Sequence, residues 1–281
     1  MPTEVFLLVL CAALVHAIWN AMVKSDGDRL GLMKVMSLTQ LVLSAALMPF
    51  VAVPAVDSWP CLAASPILTT GYVLFLSYAY RAGDLSHVYP LARGIAPLIV
   101  AIVSIGFLGE RLAPISQLAI LLIAAGITSL MLTRGAAGLR DPRPTLFALA
   151  TGGFIASYTL VDGIGARASG TASGYMVWIS LLSSLAILAA IHWMQRGQRQ
   201  PPSPRTRRAG VAVGLLSYGA TWVVIWAMTQ APIALVSALR ETGVVFAVII
   251  GVVVLKERLN LARLVSIATT LAGTALLKVS R

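Results

Sequence analysis

Two arginines, Arg93 and Arg240, sit far inside apolar stretches that are long enough to cross a bilayer. Eight and seven residues separate them from the start of their stretches, which at 1.5 Å per helical residue places each about 10–12 Å deep. A charge at that depth costs about 2.5–3.5 kcal/mol on insertion scales, so it is retained where it faces a cavity or a partner. Guanidinium forks bind carboxylate, phosphonate or phosphate groups through paired hydrogen bonds, and two converging forks would make an anion site. Glu241 is the one acidic residue read as lying well inside a span. Successive helical side chains point about 100° apart, so adjacency alone does not pair it with Arg240. A carboxylate there could take up a proton for coupling, or form a structural ion pair with Arg93, Lys24 or a backbone donor.

The first apolar stretch carries His16, Asn20 and Lys24 at i, i+4 and i+8, with Trp19 on the adjoining face. That polar stripe should face the protein interior. His16 could bind substrate, relay a proton or hydrogen-bond a carbonyl, and Lys24 could equally mark the end of the span. Ser86, Tyr89 and Arg93 repeat the pattern in the fourth stretch, where Pro90 and Pro97 free backbone carbonyls, as cavity-lining helices tolerate. Tyr218, Trp222 and Trp226 form an aromatic stripe, and Tyr72, Tyr78 and Tyr80 offer another. Packing or an interfacial belt explains such stripes as well as a stacking wall does. Tyr158, Thr159 and Asp162 are weaker candidates.

The elements that must hold these groups are membrane helices. Of the 281 residues 58% are hydrophobic and 11% charged, with a mean hydropathy of +0.89. Soluble domains run at about 45–50% apolar and 25% charged, so a soluble protein is excluded. Ten apolar runs are predicted, at about 5–23, 32–53, 61–80, 85–108, 114–133, 145–161, 171–193, 209–229, 233–255 and 260–277, each near the length of a spanning helix. The first run lacks the basic region and cleavage site of a signal peptide and is read as a retained span. The longer connectors, 134–144 and 194–208, are rich in Pro and Arg.

The net charge of +11 resides mainly in connectors, which makes it a topology signal and not a nucleic-acid surface. Apart from Arg93 and Arg240, the odd connectors hold 15 basic residues and the even connectors and termini hold 4. The odd connectors are therefore expected in the cytoplasm and both termini outside. Cys11 and Cys61 have neither disulfide nor metal spacing, and no cofactor is expected. Nucleotide-binding, zinc-protease and Ser/His nucleophile motifs are absent, so no catalytic residue is assigned.

Shifting the chain by 147 residues superposes Arg93 on Arg240, Glu110-Arg111-Leu112 on Glu257-Arg258-Leu259, and Ala125-Gly126 on Ala272-Gly273. A five-span unit is odd, so its second copy must enter the membrane in the opposite sense. The expected fold is all-α and polytopic, ten helices in two inverted five-helix repeats, with residues 1–134 and 145–281 as the repeats and 135–144 as a cytoplasmic linker. Inverted repeats place a substrate site near the midplane and permit alternating access. Glycine-rich helix faces serve internal packing and dimerisation alike, leaving a monomer or a homodimer open.

His16-Ala17-Ile18-Trp19-Asn20, the stretch from Tyr80 to Pro97 leading into Gly109-Glu110-Arg111-Leu112, and Leu255-Lys256-Glu257-Arg258-Leu259 together resemble the EamA-type permeases of the drug/metabolite transporter superfamily. The resemblance covers essentially the whole chain. It implies an inner-membrane secondary carrier, commonly an exporter of amino acids or other small metabolites, with a cavity lined by spans one, three, four, six, eight and nine. The H-A-x-W-N opening is also similar to permeases associated with phosphonate use. The expected function is transport of a small anionic or zwitterionic metabolite such as an amino acid or organophosphonate. Arg93, Arg240, His16, Asn20, Trp19, Tyr89, Tyr78, Trp222 and Trp226 are the candidate substrate contacts. Glu241 and His16 are the candidates for proton coupling. The rival readings are an enzyme acting on lipid or prenyl phosphates, an exporter of aromatic or cationic metabolites whose arginines are structural, and a non-transporting scaffold.

Overall fold

Apolar residues dominate every regular segment, so each backbone must satisfy its own hydrogen bonds inside lipid, and the helix does this within one segment. The computed structural model describes residues 1–82, 85–130, 142–194, 201–253 and 261–279. Among the described residues there is no strand. The helices are α1 (Thr3–Ser25), α2 (Arg29–Leu47), α3 (Trp59–Ala82), α4 (Leu85–Gly106), α5 (Pro114–Ser129), α6 (Pro142–Ala168), α7 (Ala172–Met194), α8 (Pro204–Gln230), α9 (Ile233–Glu241), α10 (Gly243–Val253) and α11 (Leu261–Val279). Eight segments are long and apolar enough to cross a membrane, with α9 and α10 together forming one of them, and Pro90–Gly106 and Pro114–Ser129 are two shorter apolar helices. Large apolar side chains such as Phe107, Ile67 and Val42 point outward, as expected of a surface bathed by lipid.

Lipid tails are as apolar as leucine, so helix association depends on close packing of small residues. Gly126 on α5 meets Thr270 of α11, while Gly273 on α11 meets Ala119 and Ile123 of α5. These are repeat-equivalent glycines packing reciprocally. Helix contacts follow the same exchange: α3 on α6 mirrors α1 on α8, α4 on α6 mirrors α1 on α9 and α10, and α2 on α8 mirrors α3 on α7.

Hydrogen bonds between connectors sort them into two ends of the bundle. Ala55 N donates to Ser169 O (3.0 Å), and Arg167 reaches both Glu110 and Ala231 O, which gathers the second, fourth, sixth and eighth connectors. At the other end Thr206 Oγ1 donates to Asp26 Oδ1 (3.3 Å), joining the first connector to the start of α8.

Several predicted boundaries change. Span two stops at Leu47 and passes into a 3₁₀ turn, Met48–Phe50, where Pro49 lacks the N–H a continuing helix needs. Span six is longer than predicted, because Gly163 and Gly165 are close-packing positions inside α6 and not breakers: a Cβ on Gly165 would lie 2.5 Å from the Tyr175 ring and 2.6 Å from Cys61 Cβ. Asp162 is therefore inside a helix, and Glu241 is not the sole intramembrane acid. Arg205, Arg207 and Arg208, read as connector, belong to the start of α8, where Ser203 caps the helix by accepting from Thr206 N (3.1 Å). Residues 195–200 of that connector, and 131–141, which include most of the linker, lie outside the described residues.

The predicted span nine is two helices. Thr242 N donates to Leu239 O at 3.2 Å, an i→i−3 bond of the 3₁₀ kind, and Thr242 Oγ1 donates to the same carbonyl at 2.6 Å. Gly243 follows, and a Cβ there would lie 2.9 Å from Ala13 O, so glycine allows α1 to approach the break. Span four, with Pro90 and Pro97 inside it, runs as one helix.

Candidate functional site

Arg240 is the penultimate residue of α9, and Glu241 ends that helix at the break. Cations are favoured near a helix C-terminus, where carbonyls lose their intrahelical partners. Arg93 crosses from α4 and places its Nε 2.7 Å from Glu241 Oε2; the two side chains are 5% and 0% exposed. Arg240 Nη2 lies 3.3 Å from Glu241 Oε1, so one carboxylate sits between two guanidinium groups. Arg240 and Glu241 meet although successive side chains on an ideal helix point about 100° apart.

Around this triad Arg93 Nη2 lies 2.9 Å from His16 Nε2. A guanidinium can only donate, so Nε2 accepts and the ring in this contact is the neutral Nδ1–H tautomer. His16 also meets Trp19 edge-on, with ring centroids 4.8 Å apart. Arg240 Nη2 donates to Thr159 Oγ1 (3.2 Å), and its guanidinium lies over the Tyr158 ring, 5.9 Å from the centroid.

A cavity of about 220 Å³ opens beside these groups, lined among others by His16, Trp19, Tyr72, Arg93, Tyr158, Thr159, Asp162 and Arg240. It is smaller than the roughly 300–1,000 Å³ of sites for drug-sized ligands, and it suits a small metabolite. Glu241 is behind the wall and does not line it. Helices α2 and α7 also contribute, through residues such as Gln40 and Ser183, in addition to the six spans that the resemblance implied. Gln40 Nε2 donates to Ser217 Oγ at 2.9 Å across to α8. The signal in the sequence was a lone glutamine in span two, which periodicity alone does not rank.

Other candidates are placed elsewhere. Asn20 Nδ2 donates to His16 O on its own helix (2.8 Å), and Lys24 is exposed in the last turn of α1. Tyr78 is 49% exposed and stacks on Phe147. Trp222 Nε1 donates to Ser173 Oγ (3.2 Å) and packs on Tyr218, while Trp226 packs into the core. The α8 stripe is thus a helix-packing surface beside the cavity. The side chains of Tyr80, Ser86 and Tyr89 lie outside the described residues.

The duplicated E-R-L sequence acquires a structural role at its first copy. Gly109 adopts φ +68°, a left-handed conformation that glycine takes without a Cβ clash, and the turn brings Glu110 back against the bundle. Glu110 Oε1 accepts from Ile233 N (2.8 Å) and Oε2 from Ala234 N (3.4 Å), capping the start of α9 from the other half of the chain. Arg167 pairs with Glu110 at 2.9 Å and donates to Met228 O and Ala231 O, both at 2.8 Å. Glu110 thus fixes the beginning of the helix whose end carries Arg240 and Glu241.

A sequence profile of the EamA-like transporter family matches residues 4–132 and again 143–279. The chain belongs to the EamA-like transporter family. Membership and the apolar helices make it an integral, multi-pass membrane protein of a transporter family. The fold of this EamA-family protein is similar to that of a protein of known crystal structure, with a TM-score of 0.81, 19% identity, and coverage of 100% of this chain and 99% of the other. No curated protein matches it in sequence.

Proposed function

We propose that this EamA-family protein is a secondary active transporter of a small anionic or zwitterionic organic metabolite, working by alternating access around the cavity at Arg93 and Arg240. The observation that carries the reading is the convergence of one arginine from each half on a single buried carboxylate beside a small cavity that both arginines line. The triad keeps one positive charge in excess, enough to attract an anionic group, and Arg240 is held by Thr159 and Tyr158 in an orientation facing the cavity. The two repeats, packed so that exchanging the halves preserves helix contacts, supply the rocking units. We place the odd connectors in the cytoplasm from the excess of basic residues and read the direction as export, the direction common among carriers this chain resembles. The alternative of a lipid-phosphate enzyme is weakened by membership in a transporter family.

Proton linkage has a physical route through His16. Protonating Nε2 would place a second donor against Arg93 Nη2, so the 2.9 Å contact and a charged imidazole exclude each other. Proton uptake would release Arg93 from α1 while Glu241 still holds it.

The test is uptake and counterflow in proteoliposomes, screened with amino acids, carboxylates and organophosphonates. Arg93→Ala and Arg240→Ala should each abolish flux of the transported solute while membrane abundance is retained, and the Lys variants should recover little because a point charge lacks the fork. Wild-type flux in both Ala variants would overturn the proposal.

A further inference from the structure

The mechanism above leaves one intramembrane charge unused. Asp162 lies on α6 and lines the cavity. Tyr175 Oη donates to its Oδ1 at 3.2 Å, and among the described residues Asp162 makes no ion pair. Glu241, by contrast, has two guanidinium partners and is shut away behind the wall. A carboxylate at membrane depth without a cation is retained where a cation or water-filled space can meet it. The cavity is that space.

The charges form a pattern. Arg93 and Arg240 contribute two positive charges, and Glu241 and Asp162 contribute two negative ones. One of each cancels inside the triad, which leaves Arg240 and Asp162 facing the same cavity. Arg240 bonds to Thr159, and Asp162 is one turn further along α6 at i+3, roughly 5–6 Å away. A single small molecule can therefore touch both. Beside Asp162, α3 presents the hydroxyls of Ser65, which is 1% exposed, and of Thr69 on the same helix face. One carboxylate oxygen with two hydroxyl oxygens offers three acceptors, as many as an alkylammonium group has N–H donors, while Oδ1 accepts from Tyr175. At the other side Trp19 Nε1 is buried without a hydrogen-bond partner among the described residues and lines the same cavity, as a donor kept for a ligand would be.

We infer that Asp162, with Ser65 and Thr69, forms an ammonium-binding subsite, and that the substrate is a zwitterion whose anionic group meets Arg240 while its primary ammonium meets Asp162. The inference rests on the paired-arginine transport site and narrows it. A site already neutral over its four charges accepts a molecule that is neutral overall, with opposite charges close together. A simple monoanion would leave Asp162 without a cation and add repulsion to it.

The experiment uses matched pairs that differ by one amino group: alanine and propionate, phenylalanine and 3-phenylpropionate, aminomethylphosphonate and methylphosphonate. Binding to the purified full-length protein is measured by thermal shift and titration for wild type, Asp162→Asn and Arg240→Ala. In wild type the amino member of at least one pair should bind more tightly than its partner, by roughly 10- to 100-fold, the range of a hydrogen bond to a charged group. In Asp162→Asn that preference should shrink to about twofold, with the affinity of the des-amino partner kept or raised, because the repulsion from the carboxylate is gone. An unchanged preference in Asp162→Asn, or no preference in any pair with wild type, overturns the subsite. If the arginine site itself is wrong, Arg240→Ala binds both members as wild type does; if only the subsite is wrong, Arg240→Ala weakens both while Asp162→Asn spares both. Should Asp162→Asn fail to fold, Ser65→Ala removes one acceptor without uncovering a charge. A smaller loss of the same preference then supports the subsite, and an unchanged preference overturns it.

Discussion

Replacing Glu241 by Gln removes the one negative charge that lies between Arg93 and Arg240. The side chain is fully buried, and that of Arg93 is 5% exposed, so water cannot replace the lost partner. Removing one member of a buried ion pair costs roughly 3–5 kcal/mol, chiefly because the remaining charge is left uncompensated. For chains of 150–250 residues 1 kcal/mol corresponds to about 2–4 °C in Tm, so Glu241→Gln should lower the melting temperature by roughly 6–20 °C. The assay is thermal melting of detergent-purified protein, read by the loss of the monodisperse peak at a fixed heating rate, because membrane-protein unfolding is commonly irreversible and a rate then sets the apparent Tm. The double variant Arg93→Met/Glu241→Met removes the Arg93 charge with the carboxylate and should melt well above Glu241→Gln, since apolar replacement of a buried pair is often neutral or stabilising. A fall of less than about 2 °C in Glu241→Gln, or a double variant less stable than the single, would refute the claim that this carboxylate compensates two buried arginines.

Three further perturbations probe the scaffold. Gly126→Val should destabilise by roughly 1–3 kcal/mol through overpacking, because a Cβ would come within 2.9 Å of Thr270 N; Gly153→Ala, with nothing within 4 Å of its Cβ, should be neutral or slightly stabilising, and equal melting of the two would contradict the close-packed α5–α11 contact. Glu110→Ala should lower stability by about 0.5–2 kcal/mol as a lost helix cap, with little from the Arg167 pair, whose arginine side chain is 38% exposed; flux should fall as well, since α9 carries Arg240, and unaltered flux would separate the cap from the site. Gly109→Ala should cost about 1–2 kcal/mol from its left-handed conformation and reproduce part of the Glu110→Ala phenotype, whereas wild-type melting would show that the turn is not needed to deliver Glu110.

Composition alone determined the solvent of this protein: more than half apolar residues with few charges can only be accommodated by lipid, and spacing between polar borders set the number of apolar stretches. The family followed from short motifs, and the repeat from rare residues recurring at a fixed offset, because Arg and Glu in apolar sequence seldom match by chance. Depth along a helix also picked out Arg93, Arg240, Glu241 and His16, since the cost of a charge depends on how far it lies from the interface.

Tertiary structure decided which of these side chains meet. Helical periodicity gives the direction of a side chain relative to its own axis but not what lies opposite it, so spacing left open the meeting of Arg93, Arg240 and Glu241 on one carboxylate. Asp162 lay just past the predicted run 145–161, and in the structure α6 continues through it to Ala168, with Gly165 packed against Tyr175 and Cys61. The aromatic stripe of α8 has the period of a cavity wall and of a packing face alike. Which it is depends on the neighbouring helix, and Trp222 found Ser173 while the facing polar groups of α2, α3 and α6 lined the cavity. The role of Glu110 was likewise invisible, because its partners lie 57 and 123 residues away in the chain and meet only when the halves pack.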